Sequence, residues 1–445
     1  MQSQADFWLE KDERYVSNSM KIRFYPMVTK SAKGTRLMDH NGKEYLDISA
    51  GWAVANIGYG HEKMANALKE QYETLSFSSD ITIPEEQMIK LSEKLVNLVP
   101  GSFDKKVWYG MSGSDANDCI AKLVPLSQNR PRMIAFMGAY HGQTMGSLSL
   151  SGHAAQAKFV SGANVVKIPY PNPYRPPFGN AENLTQQIID YIEHEVFPTI
   201  SPAEDTAGLI VESIQSDGGV IVPPEDFLPE LRQLCDCYGI YLIVDDVKVG
   251  LGRTGKMFSF EHSGIEVDAV SLGKPLGAGV PISAVVARKE ILDVDDAFHL
   301  FTSSGNPIST RAALTNLEIL EEERIIESVE EKGEYFKQQL EELKQKHELI
   351  GDVRGKGLIL GIELVEDRIN KKPATEKTAA VCYRAYELGL LVFYVGVHGN
   401  VIEITPPLII DKEEIDQAVA ILDQALTDVQ TGNVDMGKVK EFAGW

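Results

Sequence analysis

The sequence predicts an α/β fold, with a large domain on a mainly parallel sheet flanked by helices and a small α+β domain drawn from both chain ends. Three observations predict it. Between about residues 106 and 290, short apolar runs alternate with helical patterns, the order that βαβ units impose. Several of those runs hold little besides Val, Ile, Leu and Ala, as strands covered on both faces do. And 445 residues, 43% of them hydrophobic, exceed one simple core.

Taken in order, residues 1–60 open with a short helix and a hairpin about Asp39-His-Asn-Gly-Lys43, where Asn-Gly is a strong turn signal. Helices follow over 62–78 and 84–98. The expected strands of the large sheet are Lys106–Tyr109, Met133–Phe136, Val165–Ile168, Gly208–Val211, Tyr241–Val244, Ala269–Leu272 and Ile282–Val286. The polar, proline-rich stretch 169–181 reads as an ordered surface loop. Ile308 to Lys346 is one long stretch of helical periodicity, rich in Glu and Lys. Beyond it come strands near 358–364, 391–395 and 401–404 and helices near 375–389 and 412–428. The expected division is 61–310 for the large domain, with 1–60 and 311–445 forming the small one. No internal repeat is present.

Net charge is −21 and is spread along the chain, which argues against nucleic acid and anionic membrane as partners. No apolar run approaches membrane-spanning length. The N-terminus lacks a basic segment followed by an apolar one, so no secretory signal is expected and a cytoplasmic location is. Four cysteines are too few for a disulfide scaffold, and Cys235-Asp-Cys237 is not a metal spacing. The nine histidines show no ligand spacing either, so no metal is expected.

The chemistry gathers at strand ends, where open parallel sheets bind ligands. Lys274 follows the strand Ala269–Leu272 at once and is crowded by Gly273, Pro275, Gly277 and Gly279. A lysine there can act as a nucleophile toward an aldehyde. Ser112, Gly113 and Ser114 start a helix and make an anion site suited to phosphate. Tyr140, between glycines after another strand, can stack on a flat ring. Asp245 and Asp246 end a wholly apolar strand, and a buried carboxylate needs a partner such as a protonated ring nitrogen. A phosphate cradle, a stacking aromatic, a buried acid and a strand-end lysine together describe a site for pyridoxal 5′-phosphate. Against this, Gly250-Leu-Gly-Arg-Thr-Gly255 matches the dinucleotide pattern, and with Lys256 it nearly matches a P-loop. Met257, though, stands where the loop needs Ser or Thr.

The motifs resemble those of the class III aminotransferase family of fold-type I pyridoxal phosphate enzymes, over essentially the whole chain. They are Ser112-Gly-Ser-Asp-Ala-Asn117, Ala139-Tyr-His-Gly142, Glu212-Ser-Ile-Gln215, Asp245-Asp-Val-Lys248, Gly252-Arg-Thr-Gly255, Ser271-Leu-Gly-Lys274 and Gly305-Asn-Pro307. The resemblance implies a Schiff base on Lys274, Asp245 on the pyridinium, Tyr140 on the ring, and Ser112, Gly113 and Ser114 at the phosphate. It implies a homodimer too, with Thr302 reaching the phosphate of the neighbouring subunit and active sites at the subunit interface.

Departures from the family pattern carry the substrate expectation. Where the family keeps an arginine for the substrate α-carboxylate, this chain has Glu403, in Asn400-Val-Ile-Glu-Ile-Thr-Pro-Pro407. Arginine suits bidentate carboxylate recognition and a carboxylate repels one, so a substrate with a neutral carbonyl is expected. Lys248 replaces a glutamine near the cofactor's phenolic oxygen, and Asp217 replaces a glutamate. Ser213 and Asp246 replace proline and glutamate.

These features are similar to a branch of the family that racemises a lactam and amino-acid amides, and in that branch Trp52 would lie against the lactam ring. The expected reaction is racemisation at Cα, with Lys274 serving one face, Asp217 the other, and Lys248 tuning Asp217 or relaying protons. Amino-group transfer to a 2-oxo acid and racemisation of free amino acids are the alternatives, and Glu403 counts against the latter.

Overall fold

The computed structural model describes residues 4–153 and 164–443. They form two compact units, one of Met1–His61 with Ser328–Trp445 and one of Glu62–Glu327. The larger unit holds a seven-stranded sheet. Its strands in chain order are β1 (Lys105–Gly110), β2 (Arg132–Phe136), β3 (Val165–Ile168), β4 (Thr206–Val211), β5 (Tyr241–Asp245), β6 (Ala269–Leu272) and β7 (Ser283–Arg288). Across the sheet the order is β1-β7-β6-β5-β4-β2-β3. Strand β7 runs antiparallel to both neighbours, and the remaining pairs are parallel.

The apolar runs form strands because both faces of the sheet are covered. Leu242 and Val244 enter one core, with Ile134, Phe136, Val270 and Leu272, while Ile243 enters the other, with Met133, Ala135 and Val285. Successive side chains point to opposite faces, so a two-sided core demands an unbroken apolar run rather than alternation. The helix Gly113–Gln128 starts on a capping box: Ser112 Oγ accepts from Asp115 N, and the Asp115 carboxylate accepts from Ser112 N.

The long helical stretch is divided. One helix, Pro307–Glu322, lies in the larger unit and a second, Val329–Lys346, in the smaller. Arg324, at φ +52°, breaks the right-handed run, so the unit boundary follows Glu327 rather than residue 310.

The smaller unit contains a sheet in the order Thr29–Lys33, Arg36–Asp39, Glu44–Asp47, Leu390–Leu391, the hairpin at Asn41-Gly42 among them. A second sheet has the order Ile350–Lys356, Ile359–Leu364, Val401–Ile404, Phe393–Val395. Strand Ile350–Lys356 is absent from the sequence reading because Gly351 and Gly355 interrupt its pattern. No helix among the described residues is long and apolar enough to cross a membrane.

Candidate active site

Five loops that follow the carboxyl ends of β1, β2, β4, β5 and β6 carry the polar groups of the larger unit. Glycines let three of them touch. A Cβ on Gly113 would stand 2.5 Å from Val247 Cγ1, and one on Gly273 would stand 3.3 Å from the Gly113 backbone. The helix start, the turn after Asp245 and the lysine turn are thereby in van der Waals contact. Lys274 itself has φ +36°, a left-handed conformation costly for a residue with a side chain. Its Nζ lies 5.9 Å from the centroid of the Tyr140 ring.

Asp245 is 4% exposed. Its Oδ2 accepts from Asn117 Nδ2 and His141 Nδ1, each at 2.7 Å, and its Oδ1 from Val247 N at 3.0 Å. Asn117 Nδ2 also donates to the His141 carbonyl at 2.8 Å, locking the pair. No lysine or arginine pairs with Asp245 among the described residues. Asn117 and His141 stand inside two of the quoted motifs, yet nothing in the sequence marks them as holders of an acid on a third segment.

Asp217 and Lys248 face each other, with Asp217 Oδ1 and Lys248 Nζ 3.5 Å apart and both largely buried. Burial alone raises the Asp217 pKa, but the charges of Lys248, Lys274 and His153 outweigh it and hold the carboxyl below its ordinary value. Tyr140 is raised, first by burial and then by Asp217, so ring and acid share one cluster. Glu212 accepts from Tyr140 N and Ser216 N, joining the loop of the aromatic to the loop of the acid. Burial, then the Asp245 and Asp217 charges, push Glu212 well above the carboxylate range.

Ser213 and Asp246, the two smaller departures expected from the sequence, belong to one hydrogen-bonded arrangement. Ser259 Oγ lies 2.7 Å from Ser213 Oγ and hydrogen-bonds the Asp246 carboxylate, which also accepts from Ser259 N at 2.8 Å. A proline at 213 could not offer that hydroxyl. Burial pushes Asp246 up to about 7, although the Ser259 bonds oppose the rise. An acid whose pKa is raised on folding binds more protons folded than unfolded between its ordinary value of 3.8 and about 7. Stability therefore falls as pH rises through that window. Asp246→Asn flattens the slope, which chemical denaturation at a series of pH values measures.

Ser112 is exposed, Gly113 and Ser114 are half-buried, and Ser114 Oγ accepts from Gln143 N at 3.1 Å. Thr302 is exposed in the turn before Pro307. Trp52 and Glu403 belong to the smaller unit. Trp52 is half-buried and stacks on Phe393 at 4.7 Å. Glu403 is 2% exposed in strand Val401–Ile404, in register with Gly361 and Phe393. The Gly250–Thr254 loop is buried, with Arg253 0% exposed, so it offers no surface for a nucleotide. His194 does approach Asp190 and Glu193, but on an exposed helix face.

These residues fit pyridoxal 5′-phosphate. Asp245 is a buried carboxylate lacking a full cation, which suits a protonated ring nitrogen. The amine of Lys274 lies over an aromatic ring. The phosphate end has the first-turn amides of a 16-residue helix, where no intrahelical partner exists.

Comparison with known proteins agrees. The family described as aminotransferase class-III matches residues 17–426. An alanine/serine racemase of Pyrococcus horikoshii is 40% identical over 435 residues, covering 96% of this chain and 91% of that protein. An isoleucine 2-epimerase of Lentilactobacillus buchneri is 37% identical, covering 98% of each. The 4-aminobutyrate aminotransferase GabT of Escherichia coli is 34% identical, covering 92% of this chain and 95% of that protein. Among solved structures, a transaminase from the marine bacterium Virgibacillus superposes with a TM-score of 0.87 at 29% identity. It covers 96% of this chain and 99% of its own.

Proposed function

The chain belongs to the class III aminotransferase family of pyridoxal 5′-phosphate enzymes, and we propose that within it this enzyme racemises Cα of amino compounds whose carbonyl is neutral. The substrate class is α-amino-ε-caprolactam and amino-acid amides, as for α-amino-ε-caprolactam racemase. The observation that carries the reading is the joining of Asp217 to Lys248 at 3.5 Å within the field of Lys274. An acid–base group on each side of a planar carbon equips the site for inversion, whereas transamination uses only one.

When bound, pyridoxal phosphate supplies an electron sink that acidifies the Cα–H of an amine attached to it. Lys274 would hold the cofactor through its Nζ, and its amine, when free, would take or return the proton on one face of Cα. Asp217, kept ionised by Lys248 and Lys274, takes or returns it on the other. Asp245, oriented by His141 and Asn117, keeps a ring nitrogen protonated. Ser112, Gly113 and Ser114 hold the phosphate, and Thr302 reaches that of a second subunit in a homodimer. Glu403 disfavours a substrate carboxylate by charge.

A second reading, racemisation of free amino acids, draws on the similarity to an alanine/serine racemase and an isoleucine 2-epimerase. A third, amino-group transfer, draws on GabT. Chiral chromatography separates them. Enantiopure α-amino-ε-caprolactam and alaninamide lose optical purity under the proposal, whereas alanine, leucine and isoleucine do not. Alanine formed from pyruvate and a D-amide, with no loss of optical purity, assigns transfer instead.

The Asp217–Lys248 pair has a pH consequence. Asp217 must be ionised to take a proton, so kcat/KM rises with pH through its lowered pKa. Lys248→Gln removes the nearest cation while burial remains. The acid limb of the kcat/KM profile moves to higher pH in that variant, and an unmoved limb disconnects the two residues.

A further inference from the structure

Asp217 and Lys248 stand on different loops of the larger unit, so their separation depends on what ties those loops together. Asp217 lies in the loop 212–221, which follows β4 and closes on itself. Gln215 N donates to the Ile221 carbonyl at 3.0 Å, and Ile221 N returns the bond at 2.8 Å. Gly219 N and Val220 N both donate to the Ser216 carbonyl, at 2.9 and 2.8 Å. A loop closed in this way shifts as a unit, and its outside anchors set where the carboxylate lies.

Three of those anchors reach the segments after β2 and β3. Tyr170 OH donates to the Glu212 carbonyl at 2.9 Å, and Gln215 Nε2 to the Met137 carbonyl at 2.9 Å. The Glu212 carboxylate accepts from Tyr140 N at 3.3 Å. In the sheet, β2 and β5 flank β4 on opposite sides. These bonds therefore hold the loop of Asp217 from the side away from Lys248, whose turn follows β5.

Ser213 supplies a tie on the β5 side. Its Oγ lies 2.7 Å from Ser259 Oγ, and the Ser259 hydroxyl and amide both bond the Asp246 carboxylate. Asp246 is itself pinned. Its amide donates to the Ser271 carbonyl of β6 at 3.0 Å, and its carbonyl accepts from Gly250 N at 3.1 Å. The turn that this last bond closes carries Lys248. Ser213, Ser259 and Asp246 are 5%, 3% and 1% exposed, so a hydroxyl lost here leaves buried groups short of a partner. Two charges taken out of water recover their desolvation only in good geometry. The Asp217–Lys248 pair, largely buried at 3.5 Å, is therefore sensitive to a small shift of either loop.

We propose that Ser213 is a positioning residue, tying the loop of Asp217 to the turn of Lys248 through Ser259 and Asp246 and so setting the distance at which acid and lysine meet. This rests on the reading in which Asp217 moves a proton, and one arm of its test needs no turnover. The charged and titratable groups that act on Asp217 are Lys248 after β5, Lys274 after β6, His153 and Tyr140 after β2, and Glu212 in its own loop.

The test compares Ser213→Ala, which removes the hydroxyl, with Ser213→Thr, which keeps it. With the holoenzyme and enantiopure α-amino-ε-caprolactam, the acid limb of kcat/KM moves to higher pH by about one pH unit in Ser213→Ala, part of the effect a nearby opposite charge exerts. It stays in place in Ser213→Thr. Ser259→Ala, which cuts the same chain one link further on, moves it in the same direction. Urea denaturation of the holoenzyme gives the second reading. The fall in midpoint caused by Ser213→Ala is about halved when Lys248 is already glutamine, because residues of one network couple. A serine with a merely structural role lowers the midpoint equally in both backgrounds and leaves the limb alone. An unmoved limb in Ser213→Ala, additive midpoints, or a threonine variant that behaves like the alanine one overturns the proposal. Coupled midpoints in an enzyme that does not racemise the lactam refute the racemase reading and leave the role of Ser213 standing.

Discussion

Lys274→Ala lowers turnover of every substrate by at least about 10⁴-fold, the upper range for a positioned acid–base group, since both the attachment point and one proton carrier are lost. The visible absorbance of the lysine-bound cofactor vanishes with it. The variant should still bind pyridoxal phosphate non-covalently, because Asp245 keeps its bonds from His141 and Asn117 and the helix start at Gly113 is untouched. Exogenous methylamine, a small stand-in for the missing side chain, restores a measurable fraction of the rate. Turnover near the wild-type level would remove Lys274 from the chemistry.

Asp217→Ala lowers interconversion of enantiomers by about 10²–10⁴-fold while cofactor absorbance and amine binding persist. The magnitude follows from losing one of two proton carriers and keeping the other. Isotope exchange sharpens the test. In deuterated water Lys274 can still exchange the Cα proton on its own face, so washout with retention outlives inversion in the variant. In a transaminase the two would fall together, or neither would. Lys248 is then left facing a methyl group, and removing the acid from a largely buried ion pair is unfavourable, so a modest loss of thermal stability accompanies the change.

Part of the candidate site is readable along the chain because Lys274 and Asp245 stand where an apolar strand stops. Leu272 ends β6 and Lys274 follows; Val244 precedes Asp245, which closes β5. A run buried on both faces has no room for a charge, so the first polar residue after it is marked by contrast. The helix start at Ser112 is legible for a similar local reason, a capping box written within four residues. The break at Arg324, and with it the division between the units, is not: helical periodicity continues through Glu and Lys on either side, and nothing local announces a left-handed residue.

Partnerships across the sheet are the least legible. Asp245 is held by His141 and Asn117, 104 and 128 residues away in sequence. The same holds for Ser213, Ser259 and Asp246, which are far apart along the chain and form one hydrogen-bonded group in space.

The sequence by itself determined the α/β plan and the strand ends that bear Lys274 and Asp245, because burial pattern and residue chemistry are local properties. Only the tertiary structure decided what orients Asp245 and that Trp52 rides on a left-handed turn. Those depend on strand order and on bonds closing over long separations. Alanine and tryptophan have no intrinsic preference for that turn, so no local signal could have shown it.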